Sequence, residues 1–296
     1  MIVSRPKVGF LWNPAGPEVM AELGHFVDFV EVVPDRLWYD FGTGVEPRFF
    51  HASAMIEMLR ALDRPIRGHG IGLSLPSAMP LDPDVLDQMV AAAHWLRFEA
   101  FSEHLSMFLV PGASVPNAQA GIGLPVLHDE ETLAIVVEKV RVLRDQMGIP
   151  IAMENGTIFT AMPQPPMSEP AFLNRLHDLC GANTLLDLHN LHANCVNLGW
   201  DAEEWLTELD PWTVTEIHIA GGDWLHGHYT DSHSNRSPPE VRTLLERWAP
   251  RFPRLEAITF EYHESYHPRI GIAGLAEEFE WMHSVAARCV ESESVR

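Results

Sequence analysis

Eight short apolar runs, separated by stretches with helical spacing, constrain the fold of this 296-residue chain more than any other feature. Each run has the length of a buried strand. The runs cover residues 8–12, 27–33, 66–73, 98–105, 149–154, 184–189, 214–220 and 257–262. Eight strand-then-helix units in a chain of this length predict an α/β protein with the architecture of a (β/α)8 TIM barrel.

Helix-start signals stand between the predicted strands. Capping side chains, prolines and acidic residues precede the amphipathic stretches, as at Asp82-Pro83 and Ser168-Glu169. The predicted helices cover residues 85–96, 171–180, 202–209, 241–248 and 275–290. No repeat, low-complexity tract or linker divides the chain, so we predict a single domain over residues 1–296. Long segments at 111–128 and 221–239 follow strands and are expected on the carboxyl face, where barrel active sites are built.

The charge balance excludes two classes of partner. With 20 basic and 41 acidic residues the formal net charge is −21. A chain this acidic lacks the basic surface that binds a nucleic-acid backbone or an anionic membrane. Three scattered cysteines, Cys180, Cys195 and Cys289, give neither a disulfide framework nor a CxxC metal motif. No apolar run has the length of a signal peptide or a membrane span, which predicts a cytoplasmic protein.

Many of the sixteen histidines stand, together with carboxylates, at strand ends. Six predicted strands end in side chains able to bind a metal, and the segment after the seventh strand adds two more. The candidate ligands are His69, His104, Glu154, Asp187, Asn190, His192, His218, Asp231, His233 and Glu261. Because the carboxyl ends of barrel strands form one ring, we expect these side chains to converge. Imidazole and carboxylate ligands suit iron, manganese or zinc, and their number favours a site of two or three metals.

A structural role is the competing interpretation. A single histidine at a strand end is more often a hydrogen-bonded structural residue than a ligand, but its recurrence on six strands favours a metal site. Histidines on helical stretches are expected to be surface or satisfied core residues. These are His51, His94, His177 and His283. Trp224, in the second long segment, is a candidate substrate contact.

The ordered motifs resemble a known family. The run Glu216-Ile217-His218-Ile219-Ala220-Gly221 is followed by Asp231-Ser232-His233 and Pro239-Glu240-Val241. The same order holds for His69, Ser102-Glu103-His104, Glu154-Asn155, Asp187 with Asn190, and Glu261. The set spans nearly the whole chain and resembles the multinuclear non-haem iron-dependent oxidative enzymes, a group that includes the methanobactin-biosynthesis oxidase.

The resemblance implies a xylose-isomerase-like barrel with two or three iron ions of mixed valence, O2 as co-substrate and a peptide substrate. Members modify cysteine side chains of ribosomally synthesised precursor peptides, often with a partner protein that delivers the precursor. Carried over by position, His69, His104 and Glu154 hold one iron. A second iron takes Glu154, His218, Glu261 and one residue of the pair Asp231 and His233. A third takes Asn190 and the other loop ligand, with Asp187 or His192; which loop ligand serves which iron stays open.

Several positions depart from the family pattern. Gly222 and His263 stand where the family usually has histidine and aspartate, and His189 and His192 where it has asparagine and an aromatic residue. The first strand also lacks the usual Gly-Leu-Arg start. Histidine is a residue type able to exchange protons, so His263 is a candidate replacement for the missing aspartate. Asn155 is the second candidate for orienting substrate or moving protons.

Other functions stay open from the sequence. Divalent-metal sugar isomerases or epimerases and phosphodiesterases of the xylose-isomerase-like barrels also place His, Asp and Glu at strand ends. The isomerase hypothesis expects a lysine near the metals, whereas Lys7 and Lys139 fall near the start of strand one and on a helix. A phosphodiesterase acting on nucleic acid would want basic residues that this chain lacks. A non-catalytic metal- or peptide-binding barrel is the third hypothesis, and Gly222 and His263 are the features that support it.

Overall fold

The eight apolar runs form strands of one barrel. A computed structural model describes residues 5–109, 119–159 and 165–291. The strands of these residues are β1 Lys7–Leu11, β2 Phe29–Val32, β3 Trp38–Asp40, β4 Phe49–His51, β5 Ile66–Gly70, β6 Phe101–His104, β7 Met107–Leu109, β8 Gln119–Leu124, β9 Ile151–Glu154, β10 Asn183–Asp187, β11 Val214–Ile219, β12 Asp223–Leu225, β13 His228–Thr230 and β14 Ala257–Phe260. Eight of them close a barrel in the order β1-β14-β11-β10-β9-β6-β5-β2, which confirms the predicted TIM-barrel fold.

The helices are α1 Gly16–Leu23, α2 Ser53–Arg60, α3 Pro83–Leu96, α4 Glu130–Met147, α5 Glu169–Cys180, α6 Leu188–Leu198, α7 Ala202–Glu208, α8 Pro239–Trp248 and α9 His267–Glu291. Five of the helices in the described part of the chain, α3 to α7, begin after a side chain that caps their first turn. Asp82, Ser168 and Asp201 accept backbone N–H groups in the first turns of α3, α5 and α7, groups that lack a partner inside the helix. None of the helices in the described part of the chain combines the length and the hydropathy of a membrane span.

The chain divides into two compact units, and the single-domain prediction stays a prediction. The first unit comprises residues 1–31, 157–161 and 183–296, and the second comprises 32–156 and 162–182. In the first, the fully buried Phe10 of β1 packs its ring against Phe279 of α9, with ring centroids 6.1 Å apart. In the second, α2, α3, α4 and α5 pack in chain order, and Met89 and Phe172 are fully buried.

The two long segments contain more regular structure than their sequences suggest. Residues 111–118 of the first lie outside the described part of the chain, but 119–124 form β8, which pairs antiparallel with β7. The second contains the hairpin of β12 and β13. Its turn residues His226 and Gly227 have φ of +50° and +86°, the left-handed pair that a two-residue hairpin turn requires.

Two local predictions are wrong. The sixth predicted strand extends too far, because β10 ends at Asp187 and its side chain accepts the N–H of Asn190 as the cap of α6. His189 therefore lies on a helix rather than in a strand. His51, expected on a helical stretch, lies in β4 and approaches Gln88 Oε1 at 2.7 Å through Nε2.

A buried histidine of the second unit makes stability depend on pH. His128 is 6% exposed and its ring lies 5.1 Å from that of Phe172. Burial disfavours the charged ring and lowers the pKa of His128 to about 4, although Asp129 acts in the opposite direction. Because the folded pKa lies below the unfolded value of about 6.5, the contribution is complete above pH 6.5 and is lost as the pH falls towards 4.

We therefore expect His128→Gln to flatten the acid limb of the stability curve. Between pH 7 and pH 4.5 the wild-type chain should lose about 2.5 kcal/mol more free energy of unfolding than the variant. Urea unfolding of both proteins, stripped of metal by a chelator, measures the difference. Parallel stability curves for the two proteins over this range would show that the ring is not held neutral.

Candidate functional site

Three strands of the second unit bring two histidines and a glutamate together. His69 on β5, His104 at the end of β6 and Glu154 at the end of β9 each offer a ligand atom, and these atoms lie within 4.8 Å of one another. The register pairs His104 directly with Glu154, and His104 Nδ1 lies 2.5 Å from Glu154 Oε2. His69 Nε2 is 3.5 Å from the same oxygen. Two imidazoles and one carboxylate are a common ligand set for a divalent metal.

A serine orients one of these ligands. Ser102 is the register partner of His69, and its Oγ lies 2.8 Å from His69 Nδ1. Ser102 Oγ also donates to the carbonyl of Gly68 at 3.3 Å. With Nδ1 engaged by the hydroxyl, Nε2 is the His69 nitrogen that faces His104 and Glu154. Contacts of this kind fix the ring of a metal ligand and its tautomer.

A second group lies in the first unit, around His218. The register places Asp187 of β10 beside His218 of β11, and the ligand atoms of Asp187, His218 and Glu261 lie within 4.8 Å of one another. His218 Nδ1 is 3.3 Å from Glu261 Oε2, and its Nε2 is 2.9 Å from Glu31 Oε2. Each of the four side chains is at most 3% exposed. One imidazole is thus buried among three carboxylates.

The charges of this group perturb one another strongly. Burial opposes protonation of His218, but the carboxylates of Glu31 and Glu261 outweigh it and raise the pKa of His218 well above its usual range. Burial raises the pKa of Glu31 to about 8, against the attraction of His218. Oε1 of Glu31 is buried and accepts no hydrogen bond from any described residue. The buried carboxylates outnumber the buried cations, and a bound metal ion would neutralise their excess negative charge.

Glu31 is a candidate ligand that the sequence reasoning missed. It lies on β2 within the apolar run Phe29-Val30-Glu31-Val32-Val33 and is fully buried. A charged residue inside such a run was the signal, because a buried carboxylate at the carboxyl end of a barrel strand needs a partner. The adjacent pairing of β1 and β2 sets it opposite Leu11.

The two loop candidates are connected to this group by a chain of polar contacts. Asp231 Oδ1 lies 2.9 Å from His233 Nε2 and 2.9 Å from His189 Nδ1, and His233 Nε2 lies 3.4 Å from Glu261 Oε2. Despite burial, Asp231 and Glu261 raise the pKa of His233 to about 10. His233 has φ +50°, a left-handed conformation that is uncommon for a residue with a side chain. Such strain is typical of functional positions.

The remaining candidates occupy three kinds of environment. Asn190, on α6, is buried and its Oδ1 accepts a hydrogen bond from Thr157 Oγ1. His192, two residues further along α6, is half-buried, and its ring lies edge-on to that of Tyr229 with the ring centroids 5.3 Å apart. Asn155 follows β9 and is fully buried. His263 is 41% exposed, and its backbone N–H donates to the carbonyl of His233 at 2.9 Å, which places it beside the loop ligands.

Both lysines lie away from these groups. Lys7 begins β1, at the amino end of the barrel strands. Lys139 lies on α4, and its Nζ donates to the carbonyls of Ser77 and Met79 at 2.5 and 2.8 Å. The lysine that a sugar isomerase of this fold would require is therefore not supplied by either residue.

With the ligand groups defined, comparison identifies the class of protein. Residues 8–286 match the model of the family described as RiPP precursor modification enzyme MbnB/TglH/ChrH, where RiPP denotes a ribosomally synthesised and modified peptide. The chain belongs to this family. The match covers every strand of the barrel and both ligand groups, in agreement with the resemblance carried by the sequence motifs.

Relatives of this chain occur in several bacteria. A UPF0276 protein of Streptomyces avermitilis is 32% identical over 82% of this chain, which spans about half the length of that relative (48%). A UPF0276 protein of Chromobacterium violaceum is 30% identical over 77% of this chain and 82% of its own length.

Solved structures of low sequence identity share the fold. The D-allulose 3-epimerase of a Methylomonas species superposes with a TM-score of 0.55 at 13% identity, covering 96% of this chain and 99% of its own. An L-ribulose 3-epimerase gives 0.58 at 11% identity, covering 98% and 97% of the two chains. At such identities the likeness shows a shared barrel fold and no more.

The hydroxyl of Ser102 should tighten metal binding through His69. We expect Ser102→Ala to weaken Fe(II) binding about 10- to 100-fold, because the ring loses the contact that fixes its orientation. Competition with a chromophoric chelator measures the affinity. Ser106→Ala is the matched control, since Ser106 is also buried and follows the same strand but forms no hydrogen bond with any of the three ligands. Equal losses in both variants would contradict an orienting role.

The carboxylate of Glu31 should lower the stability of the metal-free protein and raise its affinity for a metal ion. In Glu31→Gln the buried charge is gone, so the metal-free protein should unfold at higher urea concentration while Fe(II) binding weakens about tenfold or more. Exposed Glu22, on α1, provides the control Glu22→Gln, which should change neither quantity. A Glu31→Gln protein that binds Fe(II) as the wild type does would remove Glu31 from the site.

Proposed function

We propose that this protein is an iron- and O2-dependent oxidase that modifies cysteine side chains of a ribosomally synthesised peptide. The observation that carries the proposal is the pair of ligand groups, one in each unit, at the carboxyl ends of barrel strands in a member of a peptide-modifying family. Two or three irons of mixed valence are the proposed cofactor. A partner protein that delivers the peptide is the proposed associate.

The residues fit iron by the chemistry of their donor atoms. Imidazole nitrogens and carboxylate oxygens suit Fe(II) and Fe(III), and no cysteine is among the ligands. The buried Oε1 of Glu31, without a hydrogen-bond donor among the described residues, is an acceptor that a cation would satisfy. Of the candidates, His69, His104 and Glu154 would hold one ion, and His218, Glu261 and Asp187 would hold another.

When bound, the irons would supply an open coordination position for O2 and a thiolate-binding position for the peptide cysteine. The protein's own residues then have distinct tasks. Asp231 and His233 connect the loop to Glu261 through polar contacts. They thereby position the first-unit group, which consists of Asp187, His218 and Glu261. Asn155 and His263 are the proposed groups for orienting the peptide and exchanging a proton. His263 is accessible enough to do so, since 41% of its side chain is exposed.

A sugar epimerase is the main competing function, because epimerases of this fold bind divalent metals at strand ends. The positions of Lys7 and Lys139 give that hypothesis no lysine near the ligands. The fold likeness to epimerases carries no weight for activity at 11–13% identity.

Metal content is the decisive first measurement. We expect protein purified without added metal to carry two or three irons per chain, and an iron-57 preparation to give the Mössbauer spectrum of antiferromagnetically coupled, mixed-valent iron. O2 consumption should rise on addition of a cysteine-bearing peptide substrate. One zinc or manganese per chain, or no metal, would sink the assignment and favour the epimerase-like or non-catalytic hypotheses.

Variants separate the two ligand groups. His104→Ala should remove about one iron by disrupting the second-unit group, which consists of His69, His104 and Glu154. Glu261→Gln should likewise remove about one iron by disrupting the first-unit group. His94→Ala, a change of an exposed histidine on α3, should leave the iron content intact. Loss of all iron in either single variant would indicate one interdependent cluster rather than two groups.

A further inference from the structure

The hairpin of β12 and β13 has two edges that differ sharply. Its register pairs Trp224 with Tyr229 and Leu225 with His228. In an antiparallel pair, residues alternate between those bonded across the ladder and those whose backbone groups point outwards. Tyr229 belongs to the outward set: its N–H donates to Asn197 Oδ1 at 2.9 Å, and its carbonyl accepts from Asn197 Nδ2 at 2.8 Å. The carboxamide of Asn197, on α6, thus covers the β13 edge.

The β12 edge is open. Because Trp224 pairs with Tyr229, its N–H and carbonyl point away from β13, and no described residue forms a hydrogen bond with them. The side chains of Trp224 and Leu225 are 64% and 59% exposed. An open strand edge with exposed apolar side chains is the template to which an extended peptide adds as a further strand.

We propose that the open edge of β12 binds an extended segment of the peptide substrate by strand addition, with Trp224 and Leu225 contacting its side chains. The inference rests on the proposed function, because it identifies where the peptide of that reaction docks. Trp224 supplies one donor and one acceptor to the added strand, and the two apolar side chains supply contact area.

Continuity with the ligand group argues for the substrate as the occupant. Asp231 follows directly after β13, and the Tyr229 ring lies 5.8 Å from that of Trp224 and 5.5 Å from that of His189, whose Nδ1 contacts Asp231. A strand bound at β12 lies about 10 Å from β13, two strand spacings away. Extended chain covers about 3.3 Å per residue, so about three residues of extended peptide span the distance from the docked segment to β13, which Asp231 follows.

The position of the N–H permits a specific test. Trp224→Pro removes the outward N–H without removing a hydrogen bond of the hairpin, and Asp223 before it is already extended, as a residue before proline prefers. Trp224→Ala removes the ring but keeps the N–H. Trp212→Ala is the matched control, because Trp212 is 59% exposed outside the hairpin.

The probe is a phage-displayed library of 12-residue peptides with one central cysteine, selected on iron-loaded protein. We expect the enriched peptides to bind Trp224→Pro at least tenfold more weakly than the wild type. Trp224→Ala should lose less affinity than Trp224→Pro, and Trp212→Ala should bind the peptides as the wild type does. Hydrogen exchange of the Trp224 amide in the wild-type chain should slow on binding, a readout that needs no variant. Enriched peptides that bind Trp224→Pro equally well, an unprotected Trp224 amide, or no enriched peptide would overturn the proposal.

Iron content separates this proposal from the one on which it rests. Trp224→Pro should retain wild-type iron, because Trp224 is not a ligand. Peptide binding at β12 in a chain that carries no iron would refute the oxidase and leave the docking edge intact. Iron and O2 consumption as expected, with peptide binding insensitive to position 224, would refute the docking edge alone.

Discussion

The imidazole of His218 lies between the carboxylates of Glu31 and Glu261, with no solvent access, and this arrangement governs the chemistry of the first unit. Carboxylates removed from water are costly unless a cation or donors compensate them, and one imidazolium cannot neutralise three. The raised pKa values of Glu31 and His218 express the same imbalance from both sides. Such a group lowers the stability of the metal-free barrel. This is expected of a site whose buried charges are compensated by the free energy of metal binding.

Strand register explains why both groups form from residues distant in sequence. Parallel strands align their ends, so His104 meets Glu154 across one pair and Asp187 meets His218 across another. The second unit refines its group further, because Ser102 sits opposite His69 and engages its Nδ1. Positioning therefore comes from the sheet, whereas the chemistry comes from a few side chains at its carboxyl edge. The loop residues Asp231 and His233 are an exception, held by a strained backbone and by each other.

The apolar runs were sufficient to predict the barrel, because buried parallel strands read as nearly continuous hydrophobic segments. The ten candidate ligands were inferred from the same alignment, and the structure brings six of them together in two groups. Three features could not be predicted from the sequence, each for a physical reason. Glu31 is a single charge inside an apolar run, and only tertiary contact with His218 explains it. His189 follows Asp187 so closely that strand and helix cannot be separated without seeing the cap. The hairpin of β12 and β13 is held by Asn197, a contact that no local pattern encodes.

Gly222 and His189 are neighbours in the structure, so the two departures from the family pattern have to be considered together. A Cβ at Gly222 would lie 1.9 Å from the carbonyl oxygen of Thr230 and 3.0 Å from His189 Nε2, so no side chain fits there while the hairpin keeps this position. His189 is fully buried, and its ring lies next to the space that a residue at 222 would need. A histidine at 222, usual in the family that the sequence resembles, would have to displace the backbone of β13 and the ring of His189 together. The imidazole of His189 thus occupies the neighbourhood that Gly222 leaves free, and Asp231 fixes its orientation through Nδ1. The altered positions are therefore compatible with an intact site whose first-unit wall is built differently, and not only with a barrel that has lost its function.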